Sequence, residues 1–301
     1  MRRGGYNVVE IPTPHPLPGG RKHPVARAHT LRVRERVTTR LFLTGLALIV
    51  LCLVLILPTI TIMTTAFSEG FRGYGSAFSD PDTLAAIGLT LLTCLIVTPL
   101  SIVFGIVAAW TVTKYDFRFK NILITLIDLP FSISPVISGL IFILTFGTNS
   151  LMGGWLNSMG ISIIFAVPGI VLASIFVTFP FVFRELAPLM QAQGRDEEEA
   201  ATVLGATGLQ TFFKVTLPNI SWGVMYGAIL STARCMGEFG AVSVVSGHIR
   251  GYTNTLPLHI EVLYNEYQHV AAFACATFLL VIALLTLVLK KILSTRLDHA
   301  A

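Results

Sequence analysis

Six long apolar stretches separated by short polar ones set the pattern of this 301-residue chain. They cover residues 41–67, 84–112, 122–146, 163–183, 222–245 and 270–289. A helix needs about 20 apolar residues to cross a hydrocarbon core of about 30 Å. The third stretch is broken by Pro130 and Pro135, and the fourth carries Pro168 near its start and Pro180 near its end. Prolines inside a span are tolerated because neighbouring helices satisfy the freed carbonyls. The pattern predicts an all-α polytopic membrane protein with six transmembrane helices.

Three regions follow from this reading: a polar leader over 1–38, a membrane domain over 39–295 and a short tail over 296–301. Pro12, Pro14, Pro16, Pro18 and Pro24 forbid a regular helix in the leader. A disordered basic tail drawn to anionic lipid headgroups is expected there. Arg2-Arg3 is not read as a twin-arginine signal, because no apolar core follows it closely.

Composition narrows the class further. The chain is 53% hydrophobic and only 12% charged, against about 25% charged in a soluble domain. Mean hydropathy is +0.75. A net charge of +5 would admit a nucleic-acid partner, but the placement of the charge argues against one. Of 21 Lys and Arg, nine lie at or before Arg40. Lys114, Arg118 and Lys120 fall in the second connection, Arg184, Arg195 and Lys214 in the fourth, and Lys290, Lys291 and Arg296 in the tail. The opposite side holds only Arg72 and Arg250. This bias predicts both termini, and the connection between the fourth and fifth stretches, in the cytoplasm.

The outer connections carry little that suggests chemistry. His248, His259 and His269 lie in the last of them, too irregularly spaced for a metal site, and are expected at the surface or an interface. Residues 256–267 are expected to form a short helix lying on the outer surface. Cys52, Cys94, Cys235 and Cys275 all fall in apolar runs, match no metal spacing and read as buried free thiols.

Two ionisable residues stand inside the fifth stretch. Arg234 and Glu238 are four apart, on one helix face. Gly227 and Ser231 continue that face. Each charge costs about 2.5–3.5 kcal/mol at the bilayer centre by insertion scales. Either they line an aqueous path, with Arg234 attracting an oxyanion, or they form a structural ion pair at a helix or subunit interface. By this reading Glu238 is the only acidic residue deep in a span. Pro130 and Pro135, with Ser132, Ser134 and Ser138, make a broken helix that either exposes backbone groups to a polar path or acts as a hinge, or else a fixed kink that only shapes packing; the kink is favoured.

The long polar connection, about 185–218, is the most informative part. Asp196 to Glu199 load a helix start with negative charge, which suits the positive end of its dipole. Ala200, Ala201 and Leu204 continue that helix, and Gly205 and Gly208 break it. Leu209 to Val215 form a second short helix carrying Phe212 and Phe213, and Pro218 suits the first turn of the next.

Glu199-Ala200-Ala201, Gly205, Val215, Leu217 and Pro218 stand at the spacings of the loop that marks permease subunits of bacterial ABC importers. Val215 replaces the usual isoleucine. Residues 80–92, 131–142, 179–194 and 233–267 are similar to the sulfate and thiosulfate permease group, and the last of them to its CysW-type subunits. The resemblance covers roughly 40–295. It implies a type I importer permease of MetI-like architecture in the bacterial inner membrane. It implies a second, different permease subunit, two ABC ATPase subunits that carry ATP and Mg, and an extracytoplasmic sulfate-binding protein. The loop would be the coupling element that sits on the ATPase. Molybdate and tungstate permeases share much of the pattern.

Absences agree with this. No phosphate-binding loop of the G-x-x-x-x-G-K-[ST] type occurs, nor any H-E-x-x-H or G-x-S-x-G sequence. The chain is therefore expected to bring no cofactor, metal or catalytic residue of its own. An ion-gradient-driven transporter is the rival reading, but no internal repeat or carboxylate relay supports it. A membrane-embedded enzyme would need a clustered catalytic set that the spans lack.

Overall fold

The computed structural model describes residues 37–297, and every regular element among them is a helix. The leader expected before residue 37 and the last four residues of the tail lie outside them. Four helices are long and apolar enough to cross a membrane: Leu41–Ala66, Pro81–Lys114, Val167–Gln193 and His269–Leu289. Two bent helix pairs raise the total to six if each pair is one span.

The chain divides into two compact units after Leu51. In the first, α1 (Val37–Leu51) is the described element, and Leu41 to Leu51 expose apolar side chains nearly throughout. The second begins at Cys52 with a wide π turn that leads into α2 (Leu57–Ala66). Cys52 is exposed, whereas Cys94, Cys235 and Cys275 are buried as expected. The α3 helix (Gly70–Ala77) follows, with the Tyr74 ring stacked on Phe67 and its hydroxyl 2.9 Å from Thr277 Oγ1.

Three helices make the core of this second unit: α4 (Pro81–Lys114), α8 (Val167–Gln193) and α11 (Leu217–Met236). The start of α4 is fixed by Asp80, whose carboxylate accepts from the Thr83 N–H at 3.0 Å, and by Pro81 in the first turn. Ile106, Ala109 and Val112 of α4 pack on Val182, Leu186 and Met190 of α8 and Ile220 of α11. The crossing is close because Gly105 carries no side chain: a Cβ there would lie 2.6 Å from Val182.

The third span is two helices, α5 (Lys120–Ser132) and α6 (Pro135–Phe146), bent by 111°. A proline kink is much gentler than this. Pro130 sits buried inside α5, while Pro135 opens α6 after a break at Ile133-Ser134. The expected two-proline kink is thus a helix stop and restart. The residue before a proline avoids helical geometry, and Ser134 is extended in ψ at 135°.

The α7 helix (Leu151–Ser158) fills the next connection. The α8 helix runs ten residues beyond the apolar run, through Pro188 to Gln193. The fifth span is also broken: α11 stops at Met236, and α12 (Gly240–Ser246) leaves at 54°. The far halves of the two broken spans lock together. A Cβ on Gly240 would meet Pro135 at 2.8 Å, and one on Gly139 the Ala241 carbonyl at 2.7 Å.

The α13 helix (Leu256–Asn265) does not lie on the surface. Leu256 and Leu263 sit in a cluster with Ala86 of α4 and Ala272 and Cys275 of α14 (His269–Leu297). Leu258 and His259 are also buried. Their spacing gives α13 an apolar face that the neighbouring spans cover.

Candidate functional site

The polar connection folds as α9 (Asp196–Val203), a turn, and α10 (Gly208–Thr211). Four carboxylates fill the first turn of α9, where the helix dipole favours them. Gly205 has φ +88°, a left-handed conformation that a side chain resists. Gly208 has no such role, because it opens α10 rather than breaking α9. The real start signal is Thr207 with Gln210. Thr207 N–H donates to Gln210 Oε1 at 2.9 Å, and Gln210 N–H donates to Thr207 Oγ1. This reciprocal cap is legible as T-x-x-Q but escaped the sequence reading.

The second short helix is not separate. A π turn over Phe212–Thr216 carries α10 straight into α11. In a regular helix the Pro218 ring would collide with the Lys214 carbonyl four residues back, and the wider turn relieves this. The two phenylalanines part company. Phe212 turns inward against Trp110, with ring centroids 5.0 Å apart, while Phe213 is exposed.

Glu198 holds the connection to the spans. Its Oε1 accepts from Thr216 Oγ1 at 2.6 Å and its Oε2 lies 3.0 Å from Lys114 Nζ. Lys114 Nζ also donates to the Gly194 carbonyl at 2.5 Å. One carboxylate thus ties α9 to the end of α4 and the root of α11. Asn219 donates to Glu197 beside it. Arg195 adds contacts to the Thr113 carbonyl at 3.3 Å and Asp116 at 3.5 Å. Lys120, and then Arg195, hold the Asp116 carboxyl below the usual carboxylate range.

This bracing leaves an apolar tip in the open. Val203 is 87% exposed, Leu204 88%, Leu209 72% and Phe213 61%. Of the motif residues, Glu199, Ala200, Gly205 and Pro218 are exposed, and Ala201, Val215 and Leu217 are half-buried. An open cleft of about 500 Å³ lies between this loop and Trp110, Lys114 and Tyr115.

Inside the spans Arg234 and Glu238 do meet, at 2.7 Å. They are not on one continuous helix, since Glu238 lies in the break between α11 and α12. Its side chain is 1% exposed, and its Oε1 accepts from the Ala241 N–H at 3.0 Å. Glu238 therefore anchors the start of α12 as well as pairing with Arg234. The buried hydroxyls of Thr93, Ser174 and Thr255 lie around a void of about 10 Å³ that Glu238 also lines.

A second charged pair was missed. Asp128 of α5 and Arg184 of α8 meet at 2.9 Å. Arg184 Nε also donates to Asp128 Oδ1 at 3.0 Å, and the guanidinium carbon lies 3.9 Å from the Phe131 ring centroid. Glu238 is thus not the only acidic residue within a span. The pair was hidden because the apolar run ends at Phe183, one residue before Arg184, while α8 itself continues to Gln193.

His259 also corrects the sequence reading, for it is buried rather than superficial. Its Nε2 is 2.9 Å from Thr83 Oγ1 and 4.0 Å from Asp80 Oδ2. Burial lowers its pKa, against the opposing pull of Asp80 and Asp82. No group of three metal-binding side chains occurs among the described residues.

The comparisons with known proteins bear on this arrangement directly. Residues 101–299 match the family model for the binding-protein-dependent transport system inner membrane component. The chain is 49% identical to the sulfate transport system permease protein CysW of Escherichia coli K12, over 86% of this chain and 89% of that protein. It is 46% identical to the CysW protein of Synechocystis, over 90% and 98%. The sulfate transport system permease protein CysT of Escherichia coli K12 is 35% identical, over 84% and 91%. A chain of a bacterial alginate ABC transporter shares the fold at TM-score 0.72 and 18% identity, covering 87% of this chain and 98% of that one. With its broken spans and braced polar loop, the chain belongs to the family of binding-protein-dependent transport system inner membrane components, the multi-pass permease subunits of ABC importers.

Proposed function

We propose that this chain carries sulfate, and thiosulfate, across a bacterial inner membrane as one of two different permease subunits of an ATP-driven importer. The observation that supports this best is near full-length identity of 46–49% to sulfate transport permeases. Similarity to CysT-type proteins at 35% supports a paired partner of the same fold. Two ATPase subunits, carrying ATP and Mg, and an extracytoplasmic sulfate-binding protein complete the assembly. The loop at 194–218 and both termini lie on the cytoplasmic side, as the Lys and Arg bias argues.

The geometry supplies a coupling route. The exposed Val203, Leu204, Leu209 and Phe213 offer the ATPase an apolar hold. Closure of the ATPase pair on ATP draws the loop inward. The Glu198 bonds to Lys114 and Thr216 carry that displacement to α4 and α11 together. The breaks at 133–134 and 237–239 are where the far halves can change angle, and the Gly139 and Gly240 contacts make those halves move as one body.

The test is uptake of radiolabelled sulfate into proteoliposomes holding this chain, a CysT-type permease, the ATPase and the binding protein, with thiosulfate and molybdate as competitors. ATP-dependent sulfate uptake is expected. Molybdate competing far better than sulfate would move the substrate within the same mechanism. Uptake by this chain alone on an ion gradient would overturn the reading.

A further inference from the structure

Asp128 and Arg184 form a charged pair toward the cytoplasmic ends of α5 and α8, with Arg184 just past the apolar run that ends at Phe183, and nothing in the coupling loop uses it. Arg184 lies nine residues before the end of α8, and Asp128 eight residues into α5. At 1.5 Å per residue both sit about 12–14 Å along the spans from those helix ends. The two side chains are 52% and 37% exposed on this chain, so the face they occupy is open.

The pair differs from Arg234 and Glu238 in one decisive way. Glu238 is sealed at 1% exposure and fixed by the Ala241 N–H. Asp128 is open, and it engages Arg184 through Oδ1 alone in both contacts. Phe131 lies against one face of the guanidinium and is itself held edge-on by Phe181 at 5.0 Å. This keeps the guanidinium plane oriented while its counter-ion stays exchangeable. A planar fork of N–H donors suits an oxyanion as well as a carboxylate.

We infer that Arg184 is an anion-contact residue of the translocation path, and that Asp128 is a resident counter-ion which the transported oxyanion displaces in passing. The inference rests on the oxyanion-import reading above. Asp128 prevents Arg184 from trapping a dianion. As the anion leaves, the carboxylate returns to the guanidinium and drives release. A site of this kind favours doubly charged oxyanions over monovalent ones, because the attraction to the guanidinium grows with the anion's charge.

The complete importer with binding protein tests this in two ways. Arg184→Gln should cut sulfate uptake about tenfold or more, the worth of a charge-assisted hydrogen bond, while ATP turnover stimulated by the loaded binding protein persists. Arg184→Lys should recover part of the uptake. The second readout is sulfate retained by the detergent-solubilised complex without binding protein, measured by equilibrium dialysis. Asp128→Asn should retain more sulfate than the parent, and the Asp128→Asn/Arg184→Gln double variant less than either. The double variant removes both charges and leaves no stranded ion. If it assembles and transports as the parent does, the pair is only a helix tie and the inference is overturned. If Asp128→Asn retains no more sulfate than the double variant, it fails as well. Failure of the parent complex to import any oxyanion would instead remove the functional reading beneath it.

Discussion

Glu198 and Thr216, eighteen residues apart, are joined by a 2.6 Å hydrogen bond that closes the polar loop on the root of α11. The same carboxylate neutralises Lys114, whose side chain is only 8% exposed at the end of α4. Removing it would leave a nearly buried ammonium without its counter-ion. Glu198→Ala should therefore lower the unfolding free energy by about 2 kcal/mol, in the range for hydrogen bonds to charged groups. Thr216→Val should cost about 1 kcal/mol, since the carboxylate keeps Lys114. Thermal unfolding of the purified complex measures both, and ATP turnover per sulfate should rise in the same order as the loop loosens.

Gly205 offers a cleaner probe of the loop. Its φ of +88° is strained for any side chain, but no atom lies within 4 Å of where a Cβ would stand. Substitution therefore acts through the backbone alone. Gly205→Val should cost about 1–2 kcal/mol locally and uncouple ATP turnover from uptake. Gly205→Asn, which tolerates this region better, should keep most uptake. Gly208→Ala lies in a helix start without strain and should be neutral or slightly stabilising. Equal loss from Gly205→Val and Gly208→Ala would mean that contact with the ATPase, not loop shape, is what both positions supply.

Much of this was legible in the chain because membrane helices announce themselves by length. The acidic first turn of α9 and the turn at Gly205 were legible too, because a helix start and a left-handed position restrict residue type. What stayed hidden was the angle between helices. Run length cannot distinguish a 111° restart at Ser134 from a kink at Pro130, since both read as one apolar stretch. Nor could it show that α8 runs on past Phe183, which concealed Arg184 and hence its pairing with Asp128 across 56 residues of chain. His259 misled for a related reason. Its ring is buried against Thr83 of α4, a tertiary contact that local polarity does not report.

The α4–α8 crossing should be intolerant of one methyl group. Gly105→Ala places a Cβ 2.6 Å from the buried Val182 side chain and 3.2 Å from the Phe183 backbone nitrogen. Separation of the helices should cost about 1–3 kcal/mol. Gly88 lies on the same helix with open space around it, so Gly88→Ala should leave stability unchanged or improve it. Thermal unfolding of the two variants in one detergent compares them directly.

His259 makes the packing of α13 pH-sensitive with a definite sign. Burial lowers its folded pKa below the ordinary value of 6.5. The neutral ring is thus the form that the fold favours, and its contribution is fully present above about pH 6.5. It should be lost as pH falls through that value and on through the lower folded one, because the unfolded chain then binds the extra proton. Asp80 and Asp82 oppose the shift and Arg250 reinforces it. Asp80→Asn removes the nearest opposing charge, so it should depress the His259 pKa further and, with the onset unchanged, extend the loss to lower pH and deepen it. Unfolding followed between pH 5 and 8 reads both curves.

The Arg234–Glu238 pair admits a decision that its 2.7 Å contact alone does not make. Glu238 serves two partners, so its substitutions separate charge from shape. Glu238→Gln keeps an acceptor for the Ala241 N–H but leaves Arg234 unpaired. Arg234→Gln strands a carboxylate at 1% exposure and should be the worse of the two, at about 3–5 kcal/mol. The Arg234→Gln/Glu238→Gln double variant removes both charges and retains the α12 cap, so it should recover most of the stability. Sulfate uptake by that double variant then tells the two roles apart. Uptake near the parent level would make the pair a scaffold that sets the 54° turn between α11 and α12. Uptake that stays low in a fully stable, ATP-hydrolysing complex would place Arg234 in contact with the passing anion. Its 31% exposure, against 1% for its partner, leaves a guanidinium edge with which to make that contact.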